Sequence, residues 1–189
     1  MTDTELEVDI AVIGGGLGGV AAALAALDLG MTVLLSEEST WLGGQLTSQA
    51  VPPDEHPWID QMGSTGRYRA LRTRIRDYYR RNYPLLEPYR QEERFNPGMG
   101  FVSELCAEPR VAVVCIMEML APYRATGRLE LCLGFRPVTV GSAADKITAV
   151  ELERAADGTR TTVKAAYYLD ATELGDLLEL GSIEHVVGA

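Results

Sequence analysis

Three glycines near the N-terminus have the spacing of a loop that binds phosphate through its backbone. Gly14, Gly16 and Gly19 form the pattern G-x-G-x-x-G directly after an apolar run. In such a loop the first glycine permits a tight turn, the second lets the backbone approach a pyrophosphate, and the third allows close helix packing. The following helix offers free N–H groups and a partial positive charge. The residues of this predicted dinucleotide loop are Gly14, Gly15, Gly16, Leu17, Gly18 and Gly19.

The segments around this loop predict a βαβ unit. Val8–Ile13 has the apolar character of a buried parallel strand, Val20–Leu29 is rich in Ala and Leu, and Met31–Ser36 is a second apolar run. Glu37 ends this run eighteen residues after Gly19, where an acid can accept a hydrogen bond from a ribose hydroxyl. A tight turn in another kind of α/β protein is the alternative interpretation of the glycines.

The same region is long enough to raise the alternative of a membrane segment. Residues 10–35 contain a single ionised side chain, Asp28. However, the stretch is dense in glycine, and the nine residues at its N-terminal side carry four acids and no base. Because a signal peptide has a positive flank, no targeting segment is indicated, and we expect a cytoplasmic protein with no membrane partner.

The composition limits the class of partner. The chain has 189 residues, a net charge of −10 and 47% apolar residues, which is typical of one globular domain. The negative charge argues against nucleic acid as a partner. Cys106, Cys115 and Cys132 form no C-x-x-C pair, so we expect buried, reduced thiols and no metal site.

An arginine-rich helix is predicted over Thr65–Arg81, with Leu71, Ile75, Tyr78 and Tyr79 on one apolar face. Between residues 66 and 94 nine arginines accompany four acids, which leaves about −15 for the rest of the chain. These arginines are expected to face solvent or acidic surface of the same protein. Nucleic-acid binding, or one or two arginines holding an anionic substrate, are the alternatives.

Two stretches, 50–66 and 82–100, are predicted to be irregular because each contains three prolines. Long loops of this kind form lids or binding walls. His56 lies in the first stretch and is a candidate proton donor or acceptor, with a loop histidine satisfied by its neighbours as the alternative. The pair Gly43-Gly44 predicts another close backbone approach, or else a plain loop.

The second half of the chain predicts one helix followed by strands. The helix covers Arg110–Thr126, with Val113, Met117 and Leu120 buried and Gly127 as its C-terminal cap. A hairpin signal, Asp-Gly, separates the third and fourth strands, and the last strand leads into small residues of the kind found at ligand-binding sheet edges. The predicted strands are Leu129–Leu133, Pro137–Gly141, Lys146–Arg154, Thr159–Ala165 and Ala166–Asp170.

These segments in this order resemble the FAD-dependent oxidoreductases of the glutathione-reductase-like superfamily. The chain is more narrowly similar to a bacterial group known simply as FAD-dependent oxidoreductases. The resemblance implies an α/β fold, in which a Rossmann-like parallel sheet has flanking helices and a three-stranded antiparallel β-meander crossover. The segments that carry the narrower likeness are Trp41–Gln45, Pro52–Trp58, Asn96–Gly98 and Leu169–Asp176.

The resemblance also implies FAD as the cofactor and assigns its contacts. The glycine loop would cradle the pyrophosphate, Glu37 would hold the adenosine ribose, and His56 would line the flavin pocket. Pro137 or Val138 would offer backbone to the adenine. Binding of NAD without flavin is the alternative, which the Gly-Gly pair and the meander disfavour. The remaining implied cofactor contacts are Glu38, Gly43, Gly44, Gln45, Ala171 and Thr172.

Members of that family are much longer than this chain. We expect one FAD-binding domain over 1–189, with a βαβ unit at 1–48, a loop and helical insertion at 49–128, and the meander with the last parallel strand at 129–189. The chain is then a piece of a larger oxidoreductase that transfers hydride between a small organic substrate and FAD. The alternative is a short, non-catalytic dinucleotide-binding or assembly module. An edge left exposed by the missing part would favour homo-oligomers.

Overall fold

The structure is a computed structural model that describes residues 4–188. The chain divides into two compact units, of which one runs to Leu42 and resumes at Leu120, and the other comprises Gly43–Met119. The strands are β1 (Thr4–Ile13), β2 (Val33–Glu37), β3 (Leu129–Leu133), β4 (Phe135–Ala143), β5 (Lys146–Arg154) and β6 (Arg160–Asp170). The helices are α1 (Leu17–Asp28), α2 (Gly66–Asn82), α3 (Glu87–Gln91), α4 (Pro109–Ala125) and α5 (Asp176–Leu180).

All six strands form one sheet, in the order β3-β2-β1-β6-β5-β4. β1 pairs in parallel with β2 and β6, and β2 pairs in parallel with β3. β4, β5 and β6 form the antiparallel meander. The predicted α/β class, a Rossmann-like parallel sheet joined to a three-stranded meander, is confirmed. The carboxyl ends of β2, β1 and β6 therefore meet at one edge, where ligands bind in sheets of this kind.

The predicted strands Thr159–Ala165 and Ala166–Asp170 are one strand, so their separation in the sequence prediction is wrong. Residues 160–163 of β6 pair with β5, whereas residues 161–170 pair with β1. Alternation of buried and exposed positions holds only at the start of β6, where both neighbours are present. The end of this alternation within β6 therefore resembles, in the sequence, a boundary between two strands.

The core of the first unit lies where the parallel strands and the meander share buried side chains. Ile13 and Leu34 are inaccessible to solvent, as are Val150, Leu152 and Val163 of the meander, and all five belong to one apolar cluster. Burial of each such side chain contributes about 1.5–3 kcal/mol. This cluster holds the carboxyl end of β1 and the start of β2, the two strands that lead into the candidate site.

The second unit contains the predicted arginine-rich helix as α2. Thr65 caps this helix by accepting the N–H of Tyr68 at 3.2 Å, and Leu71, Ile75 and Tyr79 are buried as predicted. The segment 82–100 is not wholly irregular, because it contains α3. Pro88 stands in the first turn of α3, where a missing N–H costs no helical hydrogen bond.

The buried face of α4 differs from the predicted one, because Val113 and Met117 are only half-buried. Of the predicted stripe, Leu120 is buried. The helix packs along two adjacent rows of side chains rather than one, and periodicity alone does not reveal the second row. The buried side chains of α4 are Val111, Ala112, Cys115, Ile116, Met119 and Leu120.

Cys106, Cys115 and Cys132 are buried and form no disulfide, as the sequence predicted. Within residues 4–188, no helix combines the length and apolar character needed to cross a bilayer.

Candidate functional site

The glycine loop lies between β1 and α1, at the carboxyl edge of the parallel sheet. The N–H of Gly14 donates to the carbonyl of Ser36 at 3.2 Å, and the N–H of Ala171 donates to the carbonyl of Ile13 at 2.7 Å. These bonds tie the start of the loop to the ends of both neighbouring strands. The loop is thus brought together with Glu37 on one side and with Ala171 and Thr172 on the other.

Two glycines of the loop are required by the fold itself. Gly14 has a φ of +108°, and a Cβ placed on it would stand 2.2 Å from the carbonyl oxygen of Ala171. A Cβ on Gly19 would stand 1.9 Å from the carbonyl oxygen of Gly14. Both distances are far below van der Waals contact, so the backbone of the protein itself excludes a side chain at these two positions.

Gly15 is held by Glu37, the acid that is predicted to bind the adenosine ribose. Its N–H donates to Oε2 of Glu37 at 2.9 Å, and the N–H of Ser39 donates to Oε1 of the same carboxylate at 2.9 Å. Glu37 is only 9% exposed. A carboxylate has about four acceptor sites, so Glu37 retains capacity for a hydroxyl donor.

Gly16 differs from Gly14 and Gly19, because nothing in the fold requires a glycine there. It caps α1 with an ordinary φ of −59° and without a side-chain hydrogen bond. The nearest atom to a Cβ placed on Gly16 is Oε1 of Glu173, at 3.7 Å. The first turn of α1 carries no acid. The N-terminus of α1 therefore presents bare backbone and a partial positive charge.

The turn after β6 is held by the carboxylate of Asp170. Oδ1 accepts the N–H and the hydroxyl of Thr172 at 3.0 and 2.7 Å, and Oδ2 accepts the N–H of Leu177 at 2.9 Å. The hydroxyl of Thr172 in turn accepts the N–H of Asp176 at 2.8 Å. The sequence indicated ligand contacts at Ala171 and Thr172 but missed Asp170 as the residue that positions them.

The start of the meander lies beside the residues that follow Glu37. The N–H of Gly134 donates to the carbonyl of Ser39 at 2.9 Å. Val138, the predicted adenine contact, is half-buried four residues later in β4, where the register with β5 is irregular. Glu38 is exposed. Their cofactor contacts stay predictions.

Gly43, Gly44 and Gln45 begin the second unit. Gly43 has a φ of +112°, and a Cβ on it would stand 2.7 Å from Cγ2 of Thr47 and 2.9 Å from Cδ1 of Ile116. Gly44 has a φ of +52° and opens a short 3₁₀ turn, in which Gln45 is exposed. Local packing thus already explains the glycine at position 43, and a cofactor role for these three residues stays a prediction.

His56 is an exposed residue of the second unit. Its Nδ1 accepts the N–H of Trp58 at 3.2 Å, so the neutral ring carries its proton on Nε2. A Cβ on Gly63, where φ is +81°, would stand 2.7 Å from that Nε2, so the imidazole packs against Gly63.

Within residues 4–188, no three side chains of His, Cys, Asp or Glu are grouped so that they could hold a metal ion.

The arginines of α2 that are buried bind carboxylates of the same unit. Arg72 and Arg76 each make two hydrogen bonds to Asp60, at distances of 2.8–2.9 Å, and Arg72 also binds Glu55. Burial raises the pKa of the Asp60 carboxyl, but the bonds and charges of Arg76 and Arg72 outweigh that effect, so its pKa lies well below the usual range. These two arginines cover internal acidic groups, which was one of the predicted interpretations.

Other arginines of the second unit line an open cavity of about 360 Å³ beside Asp60. They are Arg69, Arg80 and Arg94. The hypothesis of an anionic substrate bound by arginine therefore concerns this cavity rather than Arg72, and it stays a prediction.

A family model described as FAD dependent oxidoreductase matches residues 9–189. The chain belongs to the FAD-dependent oxidoreductase family. Its cofactor is FAD, and the glycine loop fits that group because Gly16 leaves bare backbone at the N-terminus of α1.

Two solved structures share the fold of this oxidoreductase chain. A geranylgeranyl bacteriochlorophyll reductase-like protein from Thermoplasma acidophilum has a TM-score of 0.55 and 16% identity, over 98% of this chain and 44% of that one. The glycerol-3-phosphate dehydrogenase from Bacillus halodurans, solved with FAD, has a TM-score of 0.54 and 15% identity, over 92% of this chain and 36% of that one.

One curated relative shares a short stretch of sequence. The bilirubin reductase of Mediterraneibacter gnavus (strain CC55_001C) is 43% identical over 53 residues, which are 28% of this chain and 8% of that protein. The chain thus spans less than half the length of each of these three proteins.

Proposed function

We propose that the chain is the FAD-binding region of an oxidoreductase that transfers hydride between a small organic substrate and FAD. The observation that carries this proposal is the bare backbone at Gly16. The fold excludes a side chain at Gly14 and Gly19, but it leaves room for one at Gly16. A pyrophosphate bound at the N-terminus of α1 explains why position 16 is a glycine although the fold accommodates a side chain there.

The residues around the loop have separate roles in this proposal. Gly16 and the first N–H groups of α1 bind the pyrophosphate, and the spare acceptor sites of Glu37 take a ribose hydroxyl. The turn at Ala171 and Thr172 forms a fixed wall beside the loop. Bound FAD supplies the redox chemistry.

His56 is proposed as the proton donor or acceptor for the substrate. The exposure of the ring supports this role, because a group that exchanges a proton with substrate must lie within its reach. His56→Asn is expected to leave the dissociation constant for FAD unchanged and to slow substrate-dependent flavin reduction. An unchanged rate of flavin reduction would contradict the proposed role of His56 in proton transfer.

FAD titration of the chain and of two glycine variants tests the cofactor site. Wild-type protein should bind FAD with a perturbed flavin absorption spectrum. Gly16→Ala fits the fold but covers the backbone that faces the phosphate, so its FAD affinity should fall at least about tenfold, or ~1.4 kcal/mol. Gly66→Ala is the matched control, since Gly66 is the first residue of α2 and has open space around it. Equal affinities of Gly16→Ala and wild type would contradict the proposal.

A further inference from the structure

The carboxylate of Glu173 lies beside the glycine loop, on the side opposite Glu37. In the sheet, β2 and β6 flank β1 and run parallel to it. Glu37 ends β2, and Glu173 follows the end of β6 by three residues. Oε1 of Glu173 stands 3.7 Å from the position of a Cβ on Gly16. The loop that receives the pyrophosphate thus has one acid on each side.

The backbone that carries Glu173 is fixed on both sides of that residue. Asp170 accepts N–H groups of Thr172 and Leu177, and Thr172 accepts the N–H of Asp176. These bonds close the turn from 170 to 177 around Glu173. These bonds hold the backbone on both sides of Glu173, and rotation of the side chain can change the position of the carboxylate.

Glu173 itself is exposed and has no hydrogen bond or ion pair in the described part of the chain, residues 4–188. An ionised carboxylate only accepts hydrogen bonds. Beside a bound pyrophosphate it experiences repulsion, unless a nearby group donates to it. FAD has hydroxyl donors on both sides of its pyrophosphate, because the adenosine ribose lies on one side and the ribityl chain on the other.

We propose that Glu173 is a positioning residue that accepts hydrogen bonds from the ribityl hydroxyls of FAD. It is the counterpart of Glu37, which takes the adenosine ribose from the other side of the loop. The proposal rests on the proposed function, in which the pyrophosphate lies on Gly16. Through this contact the chain would set the direction in which the flavin half of FAD extends from the glycine loop.

Calorimetric titration with FAD and with ADP tests this assignment. ADP contains the two phosphates and the adenosine ribose of FAD but lacks the ribityl chain. Glu173→Ala should weaken FAD binding by about tenfold, the effect of losing a charge-assisted hydrogen bond, and should leave ADP binding unchanged or slightly tighter. Glu179→Ala is the control, because it removes the same charge from an exposed position on α5 and should bind both ligands like wild type.

The outcomes separate this inference from the function on which it rests. If Glu173→Ala binds FAD as wild type does, or binds FAD and ADP more tightly by the same factor, the carboxylate makes no ribityl contact and the inference is overturned, while the FAD site stands. If wild-type protein binds neither ligand, the proposed function fails and the inference with it. Thermal unfolding of Glu173→Ala without ligand should match wild type, since the side chain has no partner to lose.

Discussion

The carboxylate of Glu37 accepts the backbone N–H of Gly15 at 2.9 Å and thereby joins the end of β2 to the glycine loop. Its second oxygen accepts the N–H of Ser39 at 2.9 Å. Both donors therefore depend on an acceptor-only side chain at position 37. The acid predicted to hold a ribose also holds the loop in shape before any ligand arrives.

Glu37→Gln should reduce both stability and FAD affinity. The amide group turns a donor toward one of the two N–H groups, and a donor left without its acceptor in a buried site costs about 1–3 kcal/mol. Urea unfolding without FAD measures the first effect, and FAD titration the second. Glu38→Gln is the control for stability, because Glu38 is exposed. Equal unfolding free energies of Glu37→Gln and wild type would show that the carboxylate does not support the loop.

The sequence predicts the glycine loop but not the separate roles of its glycines. The spacing of Gly14, Gly16 and Gly19 and the apolar runs on either side define the βαβ unit. Gly14 is required because of the carbonyl of Ala171, more than 150 residues later in the chain. A contact between residues so far apart leaves no local pattern in the sequence. The position of the Glu173 carboxylate beside Gly16 is hidden from the sequence for the same reason.

Alanine substitutions of the loop glycines should therefore divide into two groups. Gly14→Ala and Gly19→Ala force a Cβ against backbone and should lower the free energy of unfolding by about 3 kcal/mol or more, or prevent folding. Gly16→Ala should lower the free energy of unfolding by no more than about 1 kcal/mol, the cost of alanine in place of glycine at a helix N-cap. Gly18→Ala should gain up to about 1 kcal/mol, because Gly18 is an exposed helical position with open space. Thermal unfolding without FAD checks all four, and a wild-type midpoint for Gly14→Ala would contradict the packing argument.

The arginine-rich helix shows a second limit of sequence reasoning. Its apolar face and its bounds follow from periodicity, since Leu71, Ile75 and Tyr79 are buried as predicted. The burial of Arg72 does not follow, because it depends on Asp60, which lies in a stretch without regular structure. Charge composition reveals an excess of arginine but not which arginines have an internal partner.

Asp60→Asn should destabilise the second unit by about 2–3 kcal/mol at pH 7, because it leaves buried guanidinium groups without their carboxylate. The pKa of Asp60 is lower in the folded protein than the ordinary value of about 3.9. Its stabilising effect is therefore complete above that value and is lost as the pH falls toward the folded pKa.

Unfolding measured as a function of pH checks this dependence. The difference between wild type and Asp60→Asn should be constant from pH 5 to 7 and should shrink by about 1 kcal/mol at pH 3. Asp54→Asn, at an exposed position in the same stretch, should match wild type throughout. A difference that is undiminished at pH 3 would contradict the lowered pKa.

The thiols of Cys115 and Cys132 should be unreactive in the folded protein. Burial raises the pKa of each thiol to about 11, so only about 0.1% is thiolate at pH 8. Neither side chain is accessible enough to admit a reagent. In a Cys106→Ser variant, Ellman's reagent should therefore react with no thiol on the timescale of minutes at pH 8. The same sample in guanidinium chloride should show two reactive thiols at once, which serves as the internal control. Rapid reaction of either thiol under native conditions would mean that α4 or β3 opens locally, and that the burial which raises these pKa values is not maintained in solution.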